Sequence, residues 1–263
     1  MHPLAQWEPR HIIGVFTDID DTLTTDGAIT HEALQALADL KTAGLNVVPI
    51  TGRPVGWSEP FAQSWPVDAI VAENGAVGLQ HTAAHGLRKL YQQEAPTRQS
   101  NFTHMQSVLG HIERQVTGAA RSRDSAGRET DIAIDHSEFT HMPQHAIDDV
   151  VRMMEAAGMT ATVSSIHING WFGEHNKLTG ARWIVRELYG RDLDAEIDRW
   201  VYVGDSTNDQ VMFEHFPHSV GVANIRRFEA HLTHPPRYIT PSERGAGFAE
   251  LARHLLTGIP SRS

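Results

Sequence analysis

The 263-residue sequence predicts an α/β protein: a Rossmann-like, doubly wound parallel sheet interrupted by a smaller α+β module. Three observations carry that expectation. Short apolar runs alternate with helical periodicity near both ends of the chain, and the middle breaks the alternation. The polar clusters that follow the apolar runs stand where a parallel sheet gathers its ligands, outside the carboxyl ends of its strands.

The first run, "HIIGVF", reads as a buried strand. Thr30 then caps a helix whose Leu34, Leu37 and Leu40 recur at helical spacing, Gly44 ends it, and "LNVVPI" is the next strand. After a short segment around "WSEPFAQSW", "DAIVAEN" reads as a third strand. From about 84 to 172 the pattern changes. A helix over about 97–117 carries an apolar stripe at Phe102, Met105, Leu109, Ile112 and Val116. It is followed by the polar loop "RSRDSAGRET", a strand "DIAIDH", a helix "PQHAIDDVVRMMEAAG" and one strand run, "TATVSSIHI". The last third returns to alternation: helix "KLTGARWIVRELYG", strand "RWVYVGD", helix "NDQVMFEHF", strand "HSVGVA", a helix from Ile225, strand "RYIT" and helix "GFAELARHLL". These limits assign 1–84 and 173–263 to the parallel sheet and 85–172 to the insert. There is no internal repeat and no low-complexity segment.

Composition narrows the function. With 40% hydrophobic and 21% charged residues the chain reads as soluble and globular, and no stretch approaches the roughly 20 apolar residues that span a bilayer. A formal charge of −10 argues against nucleic acid, which is met by clustered Lys and Arg. The absence of cysteine removes disulfides and thiolate zinc sites. The start "MHPLAQWEPRH" lacks a basic segment followed by a long apolar run, so a cytoplasmic location is expected.

The polar clusters are "DIDD" after Phe16, "TGRP" after Ile50, "ENGA" after Val71 and "GDSTND" after Val203. A shared sheet edge brings Asp18, Asp20, Thr51, Asp205 and Asp209 together. Clustered carboxylates repel and raise one another's pKa unless a cation compensates, and an all-oxygen set suits Mg²⁺. Alone, "DIDD" also reads as a helix cap or a solvated turn. The second acidic cluster is what turns it into a metal site. In "TGRP" the Thr51 hydroxyl, Gly52 and Arg53 can hold a phosphate oxygen. Lys177 stands at the start of its helix, where the macrodipole disfavours a cation unless an anion binds there too.

In this order Asp18-x-Asp20, Thr51 after the second strand, Lys177 at a later helix, and Gly204-Asp205 with Asn208-Asp209 resemble the haloacid dehalogenase (HAD) superfamily of phosphotransferases. "AENGA" and the insert resemble its Cof-like IIB branch with a type C2 cap, near the phosphatases of sucrose, trehalose and mannosylglycerate phosphates and phosphomannomutase. The resemblance implies that Asp18 is the nucleophile that forms an aspartyl-phosphate and Asp20 the general acid, then base. Thr51 and Lys177 would hold phosphoryl oxygens. Asp18, the backbone carbonyl of Asp20 and Asp205 would ligate Mg²⁺, supported by Asp209, with Asn208 at the phosphate or just behind the metal. Asp21 departs from the pattern, which often has glycine there, and is expected to point away from the metal.

The insert would then close over the cleft and select the leaving group. Candidate contacts are Arg121, Arg123, Arg128, His167 and Asn169. Of the 17 histidines, the pairs His81/His85 and His141/His145 have metal-ligand spacing but lack an acidic third ligand, so they are assigned to the surface. Trp57 and Trp171 flank catalytic segments and could line the cleft, whereas Trp65, Trp183 and Trp200 fit core or hinge packing. The expected function is an Mg²⁺-dependent phosphatase of a small phosphorylated metabolite, a sugar or sugar-acid phosphate, in a monomer or small homo-oligomer with no nucleic-acid or membrane partner. Alternatives are a phosphomutase or phosphotransferase using the same aspartyl-phosphate, a receiver-like signalling domain, and a sugar-phosphate-binding protein without turnover.

Overall fold

The computed structural model describes residues 1–258. In chain order the first elements are β1 (His2–Pro3), β2 (Gly14–Thr17), β3 (Thr24–Thr25), β4 (Ala28–Ile29), α1 (His31–Thr42), β5 (Asn46–Pro49), α2 (Val55–Ser64) and β6 (Ile70–Ala72). Next come β7 (Val77–Thr82), β8 (Gly86–Tyr91), α3 (Ala95–Gln115), β9 (Ala120–Arg121), β10 (Ile132–Asp135), α4 (Gln144–Ala156), β11 (Thr160–Val163) and β12 (His167–Trp171). The chain continues through α5 (Lys177–Tyr189), β13 (Trp200–Gly204), α6 (Gln210–His215), β14 (His218–Gly221), β15 (Tyr238–Ile239) and α7 (Arg244–Thr257).

The expected doubly wound sheet is present, in the order β1-β15-β14-β13-β2-β5, with every pair parallel. Its central strands are apolar on both faces because both faces are covered. Val15, Val47, Val201 and Val203 enter one core with residues of α1, α2 and α7. Their neighbours Phe16, Val48, Trp200 and Tyr202 enter a second core with α5 and α6. The Thr30 hydroxyl accepts from the Ala33 N–H and starts α1 as expected, and the helix buries Leu37 and Leu40.

The insert is a four-stranded antiparallel sheet, β11-β12-β10-β9. With α3 and α4 it encloses a third core around Met105, Ile112, Ile134, Val150, Met154 and Ile168. "TATVSSIHI" is two strands, not one run. The Ser164 hydroxyl accepts from the N–H groups of Ile166 and His167 and turns the chain back on itself, so β11 pairs with β12.

Two hairpins escape the sequence reading. The first, β7–β8, pairs with β6, and a parallel bridge between Ile50 and Val71 joins this ribbon to the main sheet. Its outer half, "LQHT" and "RKLY", is polar and partly solvated, so no apolar run announces it. The expected start of the insert falls in its turn. The second hairpin, β3–β4, turns at Asp26 (φ 51) and Gly27 (φ 79). An Asp-Gly pair with both residues left-handed is the signal of a two-residue hairpin, and it is legible in "TTDGAI". The expected helix from Ile225 is a 3₁₀ segment over Ala223–His231. Among the described residues no helix is long and apolar enough to cross a membrane.

Candidate active site

The sheet order makes the site. β13 lies beside β2 in register, so their following loops emerge together; the Asp18 N–H donates to the Val203 carbonyl at 2.8 Å. Beyond Asp18 the chain turns tightly around the Ile19 carbonyl, which accepts from the N–H groups of Leu23 and Thr24.

Lys177 Nζ, buried at the start of α5, donates to Asp18 Oδ1 and to Asp209 Oδ1, both at 2.7 Å. The Tyr202 hydroxyl also donates to Asp209 Oδ1. Asp209 Oδ2 accepts from the N–H groups of Asp205 (2.9 Å) and Ser206 (3.1 Å). Gly204 is required for this: a Cβ there would lie 2.4 Å from Asp209 Oδ2. Both Asp209 oxygens are therefore occupied by protein donors. Asp205 differs. Its Oδ2 accepts from Asn224 Nδ2 at 2.9 Å, while its buried Oδ1 has no partner.

One oxygen from each of Asp18, Asp205 and Asp209 lies within 4.8 Å of the others. Burial pushes the Asp18 carboxyl up to about 7, with Asp209 and Asp20 adding to the rise and Lys177 opposing it. Burial also drives Asp205 well above the carboxylate range, with Asp18 and Asp209 adding to it. Burial works against the Lys177 ammonium, yet Asp18 and Asp209 outweigh it and hold Lys177 above its ordinary value. Buried carboxylates facing one another with an orphaned oxygen between them fit a hard divalent cation, and the all-oxygen donor set suits Mg²⁺.

The other expected residues fall around this cluster. The Asp20 carboxylate lies outside it, gripped by Arg53 Nε at 2.9 and 3.0 Å. Thr51 is fully buried, and its hydroxyl accepts from the Arg53 N–H at 3.0 Å. Arg53, expected at a phosphate oxygen, spends its guanidinium on carboxylates: Asp20, then Asp124 (3.1 Å) and Glu138 (2.7 Å) of the insert, with Trp57 beside it, 5.0 Å from guanidinium carbon to ring centroid. Gly52 offers its carbonyl to Arg128 Nη1 (3.0 Å) and Asn169 Nδ2 (3.3 Å). Asn208 does not reach the acidic cluster; its side-chain oxygen accepts from the Ser206 hydroxyl, and it lines a cavity of about 350 Å³ together with Lys177 and Trp171.

Of the candidate contacts on the insert, Arg128, Asn169 and His167 meet the loops after the strands, His167 through Glu138 at 2.9 Å. Arg121 pairs with Glu113, and Arg123 stacks on Phe139. His81, His85, His141 and His145 sit at the surface or in turns, away from the cluster. Asp21 points to Arg244 at 3.1 Å. Its φ of 55° explains why glycine suits that position.

Two groups escaped the sequence reading. Asn224 joins Asp205 Oδ2, the Asp21 carbonyl (3.0 Å) and the Arg244 N–H (2.9 Å), tying three loops together. Its signal was its place after β14, one more strand end at the same edge. Glu73 is fully buried and accepts from the N–H groups of Val55, Glu129 and Thr130 and from the Thr130 hydroxyl, bolting "ENGA" to the insert.

Residues 15–108 match the family model of haloacid dehalogenase-like hydrolases. No curated protein matches the chain. Among solved structures, a protein from Thermoplasma acidophilum superposes with a TM-score of 0.70 at 17% identity, covering 93% of this chain and 98% of its own. A sucrose-phosphatase from Synechocystis sp., solved with sucrose and phosphate, gives 0.65 at 16% identity over 92% and 97% of the two chains. A haloacid dehalogenase-like hydrolase from Bacteroides thetaiotaomicron gives 0.64 at 14% identity over 93% and 99%. At these identities the likeness is one of fold. The matched segment resembles the haloacid dehalogenase-like hydrolases, and the described residues share the fold of these solved structures, a parallel α/β core with an added cap.

Proposed function

We propose that the protein is a phosphatase that hydrolyses a small phosphorylated metabolite, a sugar phosphate by preference, through a phosphoryl group carried on Asp18. The observation that carries this is the pairing of Asp18 with Lys177 beside the orphaned Asp205 oxygen at one strand edge. Asp18, Asp205 and the backbone carbonyl of Asp20 would hold Mg²⁺, and the bound ion would supply fixed positive charge against the repulsion between carboxylate and phosphate.

The chain's own residues account for the rest. An Asp18 oxygen forms the new bond to phosphorus as the bond to the leaving oxygen breaks, and Asp20 gives that oxygen its proton. Asp20 then takes a proton from water, whose oxygen attacks phosphorus and frees Asp18 and inorganic phosphate. Lys177 neutralises charge on the transferring oxygens, while Asp209, held by two backbone N–H groups and Tyr202, keeps the ammonium in place. Arg53 orients Asp20, and Thr51 and Gly52 shape the phosphate side. Residues 85–172 serve as the cap that covers the site and chooses the leaving group.

The test is phosphate release from a panel of phosphorylated metabolites, with and without Mg²⁺, beside Asp18→Asn. Release that requires Mg²⁺ and disappears in the variant supports the proposal. Unchanged release in Asp18→Asn overturns it.

A further inference from the structure

Beside Asp20, between its loop, the β3–β4 hairpin and the turn after β10, lies a cavity of about 520 Å³. Its walls carry the carboxylates of Asp20, Asp21, Asp26 and Glu138 against the single guanidinium of Arg53. That guanidinium is already shared among Asp20, Asp124 and Glu138. Arg244, which approaches Asp21 and Asp26 at 3.1 and 2.7 Å, is committed in the same way. A ligand entering here meets acceptors and finds no free cation on the walls. At the rim Phe139, 52% exposed, offers apolar surface, with Arg123 held over its ring.

Resting on the phosphatase reading, we propose that this cavity receives the leaving group and selects an uncharged polyol over one that bears a carboxylate or a second phosphate. Hydroxyl groups donate to carboxylates, and such charge-assisted bonds are the stronger kind. An anionic substituent would instead face the carboxylates of Asp21, Asp26 and Glu138, beside the proton-bearing Asp20, inside a cleft that concentrates their field. The same walls disfavour a bisphosphate, which a mutase reaction would need as activator.

The experiment compares phosphate release from glucose 1-phosphate and glucuronic acid 1-phosphate, which differ only at C6, a hydroxymethyl group in the first and a carboxylate in the second, with Mg²⁺ at low ionic strength. The expected kcat/KM is at least about tenfold higher for the uncharged sugar, from two or more carboxylates acting across partly screened distances. Asp26→Lys, on the solvent-exposed hairpin turn, should shrink that ratio roughly threefold. Equal or faster release from the acid, or a ratio unmoved by Asp26→Lys, overturns the inference and leaves the phosphatase reading standing. If neither sugar releases phosphate, that reading suffers, and titration of the same pair into the Mg²⁺-loaded wild type decides the cavity's preference. Tighter binding of the uncharged sugar then supports it, while tighter binding of the acid, or of neither, overturns it.

Discussion

Replacing Glu73 by alanine should loosen the cap without touching the reacting groups. The carboxylate accepts from three backbone N–H groups, those of Val55, Glu129 and Thr130, and from the Thr130 hydroxyl, all at 2.5–3.2 Å. The hydroxyl can rotate to another acceptor, but the N–H groups cannot. Each bond to a charged acceptor is worth about 1.5–3 kcal/mol, and the bonds are not additive. Against them stands the cost of burying the carboxyl, which burial and then Asp131 push up to about 7. Relief of the left-handed φ of 50° is small, since alanine is strained there too. The net expectation is a loss of about 3 kcal/mol for Glu73→Ala and about half that for Glu73→Gln, which keeps one acceptor oxygen. Urea unfolding followed by tryptophan fluorescence measures the loss, and hydrogen exchange locates it: the amides of Val55, Glu129 and Thr130 should lose protection before those of β2 and β13. A Glu73→Ala protein within about 0.5 kcal/mol of wild type, with those amides still protected, would refute the reasoning.

Tyr202→Phe removes a buried donor to Asp209 and should cost about 1–2 kcal/mol of stability, with Lys177 left as the sole side-chain donor to that oxygen; thermal unfolding in EDTA checks it. Asn224→Ala should weaken Mg²⁺ binding about tenfold or more, as loss of an outer partner of a metal ligand does, read by titrating the ion against activity. His175 is buried with both ring nitrogens unpartnered, and burial pushes its imidazole down to about 4. A depressed folded value means that its contribution is complete above the unfolded value of 6.5 and is lost as pH falls through 4. Stability should therefore drop by about 3 kcal/mol across that window, and His175→Leu should flatten this part of the curve.

Much of this was legible because the strongest signals were local and chemical. Val15, Phe16 and Val201 to Val203 lie in a sheet covered on both faces, so their runs are continuous, and the sequence alone puts the clusters after them on one edge. Asp18, Lys177, Asp205 and Asp209 do meet there. What could not be read was which partner each polar group would choose. Arg53 follows Thr51 in a loop that seemed built for phosphate, yet three carboxylates from distant loops claim it. Glu73 lies within "AENGA", but its partners at 129 and 130 are fixed only when the insert folds back. The β7–β8 ribbon was missed for the opposite reason: its pairing is regular, but its outer residues are too polar to alternate visibly.

Strand order also dictates a timetable for assembly. β13 sits between β2 and β14 but is synthesised long after β2 and β5, with the insert emerging in between. A nascent chain therefore carries β2 with one flank open, and residues 95–171, whose sheet pairs only with itself, can settle first. An aggregation-prone interval, relieved when residues 200–204 slot into the gap, is the kinetic cost of building a reaction centre from the two distant arms of one polypeptide.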